Sequence, residues 1–236
     1  MKLLIFTKVH IKNIFAAITI IISIMGLIAY QPGYALFGSI SSSYIPMAHS
    51  TAILFIVFGA SIILFKTIIH SKVIFVLSLI IISLLTVFAI LEVPGHFYGI
   101  DLNFEDVVFP AFGKLGNIPI ARMSPSTGFF FLLIGISLII NLIQNIYFEN
   151  KKYLSHIAGI LILITLLSSI TVSLSYMYKT PLLYGNNTDS IIPMALTTAL
   201  GFLFLSFSFI FSLSSDIFPV NYFIGDSTNR TLLNCV

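Results

Sequence analysis

Tryptophan is absent from this 236-residue chain, cysteine occurs once, and charged side chains make up only 8% of it. Each shortage excludes something. The lone Cys235 cannot close an intramolecular disulfide, so cysteine is silent about compartment. Without tryptophan, tyrosine has to supply any aromatic belt at a membrane interface. So little charge cannot coat a soluble domain of this length. The net charge of +3 is too small to attract nucleic acid. No nucleophile–base arrangement, phosphate-cradling glycine loop or zinc motif is present, so catalysis and a resident cofactor are not expected.

What the chain has instead is apolar: 58% of its residues, with a mean hydropathy of +1.09. Such a chain has lipid for most of its solvent, and a helix needs about 20 apolar residues to cross it. Six stretches qualify, roughly 12–30, 46–65, 73–91, 123–143, 156–177 and 192–213, and their interiors carry no Asp, Glu, Lys or Arg. The expected fold is all-α: a single polytopic membrane domain with six spans. Lys and Arg set orientation. With the N-terminus inside, Lys2, Lys8, Lys12, Lys66, Lys72, Lys151, Lys152 and Arg230 fall on the inner side. Only Lys114, Arg122 and Lys179 fall outside, together with Glu92, Asp101, Glu105, Asp106 and Asp189. The expectation is N-in and C-in, as a multi-pass protein of the cytoplasmic membrane. The first 30 residues could instead be a signal peptide, with a basic start and "AYQPGYA" after the apolar run. That run is long for a signal sequence.

Three of the stretches share a register. Met47, Met123 and Met194 align, as do Thr51, Thr127 and Thr198, then Phe55, Phe131 and Phe202. Gly59 and Gly135 match Ser206, and Ser61, Ser137 and Ser208 follow. Before each comes an outer segment with proline, aromatics and glycine: "PGYALFG" (32–38), "PGHFYG" (94–99) and "PLLYG" (181–185). A plainer apolar stretch precedes that. The reading is one helix–loop–helix unit used three times, at about 12–65, 73–143 and 156–213, with 214–236 as a tail or lead-in to a further helix. Residues spaced by four form one inclined ridge of a helix. Small residues in a ridge let a neighbouring backbone come close, which is how helices associate in lipid. A threonine hydroxyl can bond back to a carbonyl one turn earlier. The three patterned helices are therefore expected to pack about a pseudo-threefold axis, with the plainer three outside.

The "PM-x-x-x-T-A-x-x-F-x-x-x-G" helices and the junction "YKTPLLYG…IPMALTTALGFLF" resemble the N-terminal multi-helix membrane region of bacterial sensor histidine kinases and related PAS-containing signalling proteins. The tail "FPVNYFIGDSTNRTLL" resembles the segment leading into their last membrane helix. The likeness runs from about residue 12 to 233 and is weak over 100–118. It implies a sensory input module of a two-component system, acting as a homodimer or on a cytoplasmic signalling partner. This sequence stops at Val236, before any final helix, phospho-acceptor helix or ATP-binding segment, so the expected module lacks its own transmitter. A small transporter, or a non-catalytic partner of a membrane complex, is the alternative. Ion-coupled transport usually needs ionisable residues at membrane depth, and here there are none.

Candidate contact residues lie in the outer loops. Tyr34, Phe37, His96, Tyr98, Leu183 and Tyr184 could meet near the axis as an aromatic cup for an apolar or cationic small molecule or a lipid. A plain belt is the simpler reading of Tyr30, Tyr34, Tyr44, Tyr98, Tyr176, Tyr178 and Tyr184. His96 lies near four carboxylates, but no spacing fits a metal motif, so no metal is expected. His10, His70 and His156 read as solvated interfacial residues. Residues 101–115 read as a short surface helix, interrupted at Pro110. Arg122 stands where the other copies have proline; it can snorkel to headgroups or recognise an anion.

Overall fold

A computed structural model describes residues 2–31, 33–34, 36–41, 44–98, 114–115, 118–119, 122–147, 152–178, 193–214 and 216–224. It is helical: α1 (Lys2–Ile28), α2 (Leu36–Ser39), α3 (His49–Ile63), α4 (Phe65–His70), α5 (Lys72–Tyr98), α6 (Pro125–Tyr147), α7 (Lys152–Met177), α8 (Leu196–Ser212) and α9 (Val220–Ile224). A two-residue antiparallel ladder pairs β1 (Lys114–Leu115) with β2 (Ile118–Pro119). Leu115, expected at the end of a surface helix, is thus in a strand; 101–113 lie outside the described residues.

Among the described residues four segments are long and apolar enough to cross a membrane: Lys8–Ile28, Lys72–Leu91, Pro125–Tyr147 and Lys152–Met177. The other two apolar helices, α3 and α8, are shorter than the sequence suggests, at 15 and 17 residues. At a rise of 1.5 Å per residue they reach roughly 22 and 25 Å, short of a bilayer core. Their starts explain this. Proline lacks an N–H and pushes its predecessor out of the α region. After Pro46 and Pro193 the chain stays extended, through Ala48 (φ −65°, ψ 151°) and Ala195 (φ −64°, ψ 148°), before the helix begins. In α6 the proline sits three places later in the shared register, at the first helical position, where its missing N–H costs nothing. Ser124 Oγ then caps the helix by accepting the Thr127 amide at 3.2 Å.

At the opposite ends, lysines close the short helices. The last carbonyls of a helix lack intrahelical donors and form its negative pole. Lys12 Nζ donates to the Ile62 carbonyl at 3.0 Å and Lys8 Nζ to the Leu213 carbonyl at 2.5 Å. Lys12 is only 8% exposed, so its long stem threads through the bundle to reach that carbonyl.

The helices form two layers. α3, α6 and α8 touch one another at the centre. α1 lies in the groove between α3 and α8, and α7 in that between α6 and α8. α5 packs along α6 but only lightly against α3, where α4 fills the corner. Large apolar side chains exposed on the outside, such as Ile14, Ile21, Val73, Leu77, Leu84, Ile157 and Leu167, belong to α1, α5 and α7.

On the axis, Phe55, Phe131 and Phe202 meet pairwise, with ring centroids 4.8, 4.7 and 4.7 Å apart, all three fully buried. Their tilted contacts suit the ring quadrupoles. Gly201 opens the space for one of them: a Cβ there would come within 2.8 Å of the Phe55 ring. Phe58 and Phe130 extend the cluster through edge contacts at 5.7 and 5.5 Å.

The glycines of the shared register do not face this axis. A Cβ at Gly59 would meet Ile20 at 3.0 Å, and one at Gly135 would fall on the Thr86 side chain. Both therefore admit the preceding long helix, α1 or α5, rather than another central helix. The reason is helical pitch. Four residues advance about 40° beyond one turn, so a ridge that points inward at threonine has rotated by about 80° eight residues later. Ser206, in the matching place on α8, is buried and its hydroxyl finds no partner among the described residues.

The serines that follow bridge two seams. Ser137 Oγ donates to the Leu133 carbonyl at 2.7 Å and approaches that of Ala158 at 3.3 Å, joining α6 to α7. Ser208 Oγ donates to the Lys12 carbonyl at 2.8 Å, joining α8 to α1. Ser61 bonds within its own helix, to Val57. The plainer helices also hide hydroxyls: Thr19, Thr86 and Thr165 are buried and bond back to Phe15, Ile82 and Leu161.

The segment 216–224 folds back on α7. Asp216 pairs with Lys152 at 2.5 Å, and the Phe218 amide donates to His156 Nδ1 at 3.1 Å. His156 is thus a chain anchor rather than a solvated residue. Gly159 leaves room for the Phe218 carbonyl.

Two predictions follow from this packing. In lipid, cohesion comes from close contact, so Phe131→Ala should destabilise by about 3 kcal/mol. Leu84→Ala, at a position 64% exposed, should change little; thermal unfolding in detergent measures both, and equal effects would contradict a packed axis. The hydrogen bond from Lys152 holds the Asp216 carboxyl below its ordinary range. A lowered carboxyl pKa adds stability above the unfolded value and loses it as pH falls through the folded one. Both groups are well exposed, so Asp216→Asn should cost little at pH 7. In acid, once that carboxyl is protonated in the folded state as well, variant and parent should melt alike; a gap that widens there would argue against the pair.

Candidate functional site

The three central helices all begin at one end of the bundle, and a depression opens there. It is lined by Thr51, Thr127 and Thr198, by the segments that precede each helix (Ile45, Pro46 and Ala48; Met123 and Ser124; Pro193 and Ala195), and by Arg122. It is shallow, with room for about one water molecule. The phenylalanine trio lies one turn further along the same helices and closes the axis beneath it.

The methionines of the shared register, Met47, Met123 and Met194, are buried around it. Two of them anchor the rim through their carbonyls. Tyr30 Oη donates to the Met47 carbonyl at 2.8 Å, and Tyr176 Oη to that of Met194 at 2.6 Å. Each tyrosine ends a long helix, α1 or α7, and reaches across to the start of its neighbour, α3 or α8. Tyr30 also stacks on His49 (centroids 3.5 Å apart), and Tyr176 meets Tyr44 edge-on at 5.1 Å. A plain belt reading misses this. A usable signal is the spacing: each tyrosine lies 17 or 18 residues before an aligned methionine.

The carbonyls one turn before Thr51 and Thr198 are those of Met47 and Met194, which the tyrosines hold. Among the described residues neither threonine hydroxyl bonds back, contrary to expectation; the tyrosines take those carbonyls instead. Thr127 bonds Ser124 Oγ at 2.8 Å. The first outer loop reaches the same rim: Gly38 accepts both the Met47 amide at 3.1 Å and the Thr197 hydroxyl at 2.8 Å.

The expected aromatic cup is placed in part. Tyr34 and Phe37 stack on each other at 5.8 Å as an exposed pair, outside the depression lining. His96 and Tyr98 fall in the last turns of α5, with side chains outside the described residues, as are Leu183 and Tyr184 altogether. Among the described residues no three His, Cys, Asp or Glu side chains gather. Arg122, set aside in sequence as a headgroup-snorkelling residue or an anion contact, lines the depression.

No protein-family model, curated protein or solved structure matches this chain.

The tyrosine ties yield a test. Tyr176 is 4% exposed, so Tyr176→Phe strands a buried carbonyl and should cost about 1–2 kcal/mol. Tyr178, 75% exposed, should tolerate the same change without effect in the same thermal assay.

Proposed function

We propose that this chain is the membrane-embedded sensory input module of a bacterial signalling protein, seated in the cytoplasmic membrane with both termini inside. In this reading six spans form three helix–loop–helix units about a pseudo-threefold axis, and the tyrosine-rich end faces outward. The observation that carries it is the blind depression on the axis. It is open at one end, lined by equivalent residues of three helices, and stopped by Phe55, Phe131 and Phe202. A filled axis favours a receptor over a passage, which weighs against the alternative of a small permease. The resemblance of the same residues to the input region of sensor histidine kinases points the same way.

Signalling needs a packing with two states that a stimulus biases. The lightly packed α3–α5 seam, cornered by α4, is where such a shift is easiest, because the other seams are crossed by serine hydrogen bonds or long helix contacts. A rearrangement there would pass from the depression to α4 and α5 at the inner face, and on to a partner or a dimer mate.

A chimera tests the proposal. The chain would be joined to the dimeric transmitter domain of a histidine kinase, and autophosphorylation followed in membrane vesicles. Thr51→Val and Phe55→Leu should shift output several-fold, while Leu84→Ala leaves it unchanged. Identical output from all variants would overturn the sensory reading, and solute uptake by vesicles holding the unfused chain would favour the permease.

A further inference from the structure

The chain leaves α8 at the end of the bundle away from the depression, and there 216–224 is seated against the first turns of α7. Its apolar side chains turn inward: Ile217 and Val220 are 6% and 2% exposed. Two polar ties join it to α7. One is the exposed pair of Asp216 with Lys152, and pairs so open to water hold little by themselves. The other is the bond from the Phe218 amide to His156 Nδ1 at 3.1 Å. Gly159, nearly one turn further along α7, lets the Phe218 carbonyl lie against the helix. Both backbone polar groups of Phe218 therefore meet α7 within one turn of it.

The bond to His156 specifies a protonation state. A backbone N–H can only donate, so Nδ1 must offer its lone pair, and the neutral ring then carries its proton on Nε2. An imidazolium has a proton on both nitrogens and no lone pair left. The same contact would then set two donors against each other and leave a part-buried amide without an acceptor, which is costly. Histidine as a residue type changes charge between about pH 5 and 8. His156 is only partly buried, so protons reach it. Among the described residues the charged groups placed around it are Asp216 on the segment, Lys152 one turn earlier on its own helix, and Lys8 of α1, which holds the Leu213 carbonyl and lies within electrostatic reach of Asp216. The end of α6 brings Gln144, neutral and bonded to Ser155. Whatever field these groups set, none of them restores the lone pair.

We propose that 216–224 is a clasp opened by protonation of His156: seated on α7 while the ring is neutral, and released as pH falls through the range in which histidine titrates. The sign follows from linkage. At high pH the ring is neutral in the seated and the released forms, and the contact is fully present. In acid only the released form accommodates the added proton, so acid favours release. The Lys152–Asp216 pair is not the switch, because the Asp216 carboxyl is held below its ordinary range and keeps its charge over this interval. Release frees the chain beyond α8 from α7 without involving the depression at the other end, so the inference stands apart from the receptor reading.

Hydrogen–deuterium exchange of the full chain in nanodiscs, at about pH 8 and about pH 5.5, tests it. Rates are corrected for the intrinsic pH dependence of exchange, and α6 serves as internal reference. In the parent, protection of the Phe218 amide and of Val220 to Tyr222 should fall roughly tenfold at the lower pH, the factor that goes with one lost hydrogen bond, while α6 does not change. His156→Asn keeps an acceptor near the place of Nδ1 but cannot titrate, so its segment should stay protected at both values. Gly159→Ala, whose methyl meets the Phe218 carbonyl, should be unprotected at both and supplies the open reference. Asp216→Asn, which removes the ion pair but leaves the ring, should keep the response. Should His156→Asn fail to fold, His156→Gln, with its acceptor one bond farther out, takes its place. Equal protection of the parent at the two pH values, a response that persists without the imidazole, or one that vanishes in Asp216→Asn overturns the proposal.

Discussion

The mutual contact of Phe55, Phe131 and Phe202 is the constraint on which the rest of the bundle depends. In lipid an apolar side chain gains nothing by leaving its solvent, so helices stay together only where their atoms fit. Three rings at almost equal separations fix how close α3, α6 and α8 can come and how each is rotated. Gly201 accommodates one ring, and the outer grooves that receive α1 and α7 are set by the same spacing. Phe15 of α1, stacked along Phe204, Phe207 and Phe211 at 5.5 to 6.0 Å, carries the aromatic packing out to the periphery.

Around this apolar centre the polar groups are few, and nearly all have a defined partner. Hydroxyls of α1, α5 and α7 bond back to their own helices, so they enter the core without stranding a donor. Ser155 donates to Gln144 at 2.6 Å, a buried polar link between α7 and α6. Lys8 and Lys12 satisfy carbonyls at the ends of the two short helices, and tyrosines satisfy carbonyls just before their starts. The short helices are thus tied at both ends by side chains from the long ones. This is how segments of 15 and 17 residues are held in register with neighbours half as long again.

Against that background the depression stands out as the place where threonines of all three central helices border one space. Its walls are the first turns of three packed helices, and its floor is aromatic. α3 and α5, by contrast, touch only lightly.

Much of this was legible along the chain. Long apolar runs without internal charge dictated helices, because only a helix satisfies its own backbone in lipid. The shared register of methionine, threonine and phenylalanine singled out the residues that gather at the axis and rim. What one dimension could not convey was rotation and partnership. The same spacing that lined up Gly59 and Gly135 with the inward phenylalanines also turned them toward α1 and α5, since a step of four overshoots the helical turn. Extended starts after Pro46 and Pro193 shortened two helices that composition alone would have made longer. The lysine caps, the tyrosine ties and the seam left loose all join residues from about 17 to more than 200 positions apart. Sequence by itself determined which segments are helices and which side chains recur along them. Tertiary structure decided which faces meet and which donors remain unmatched, because those depend on the angle at which each helix presents its ridge to a neighbour far away in the chain.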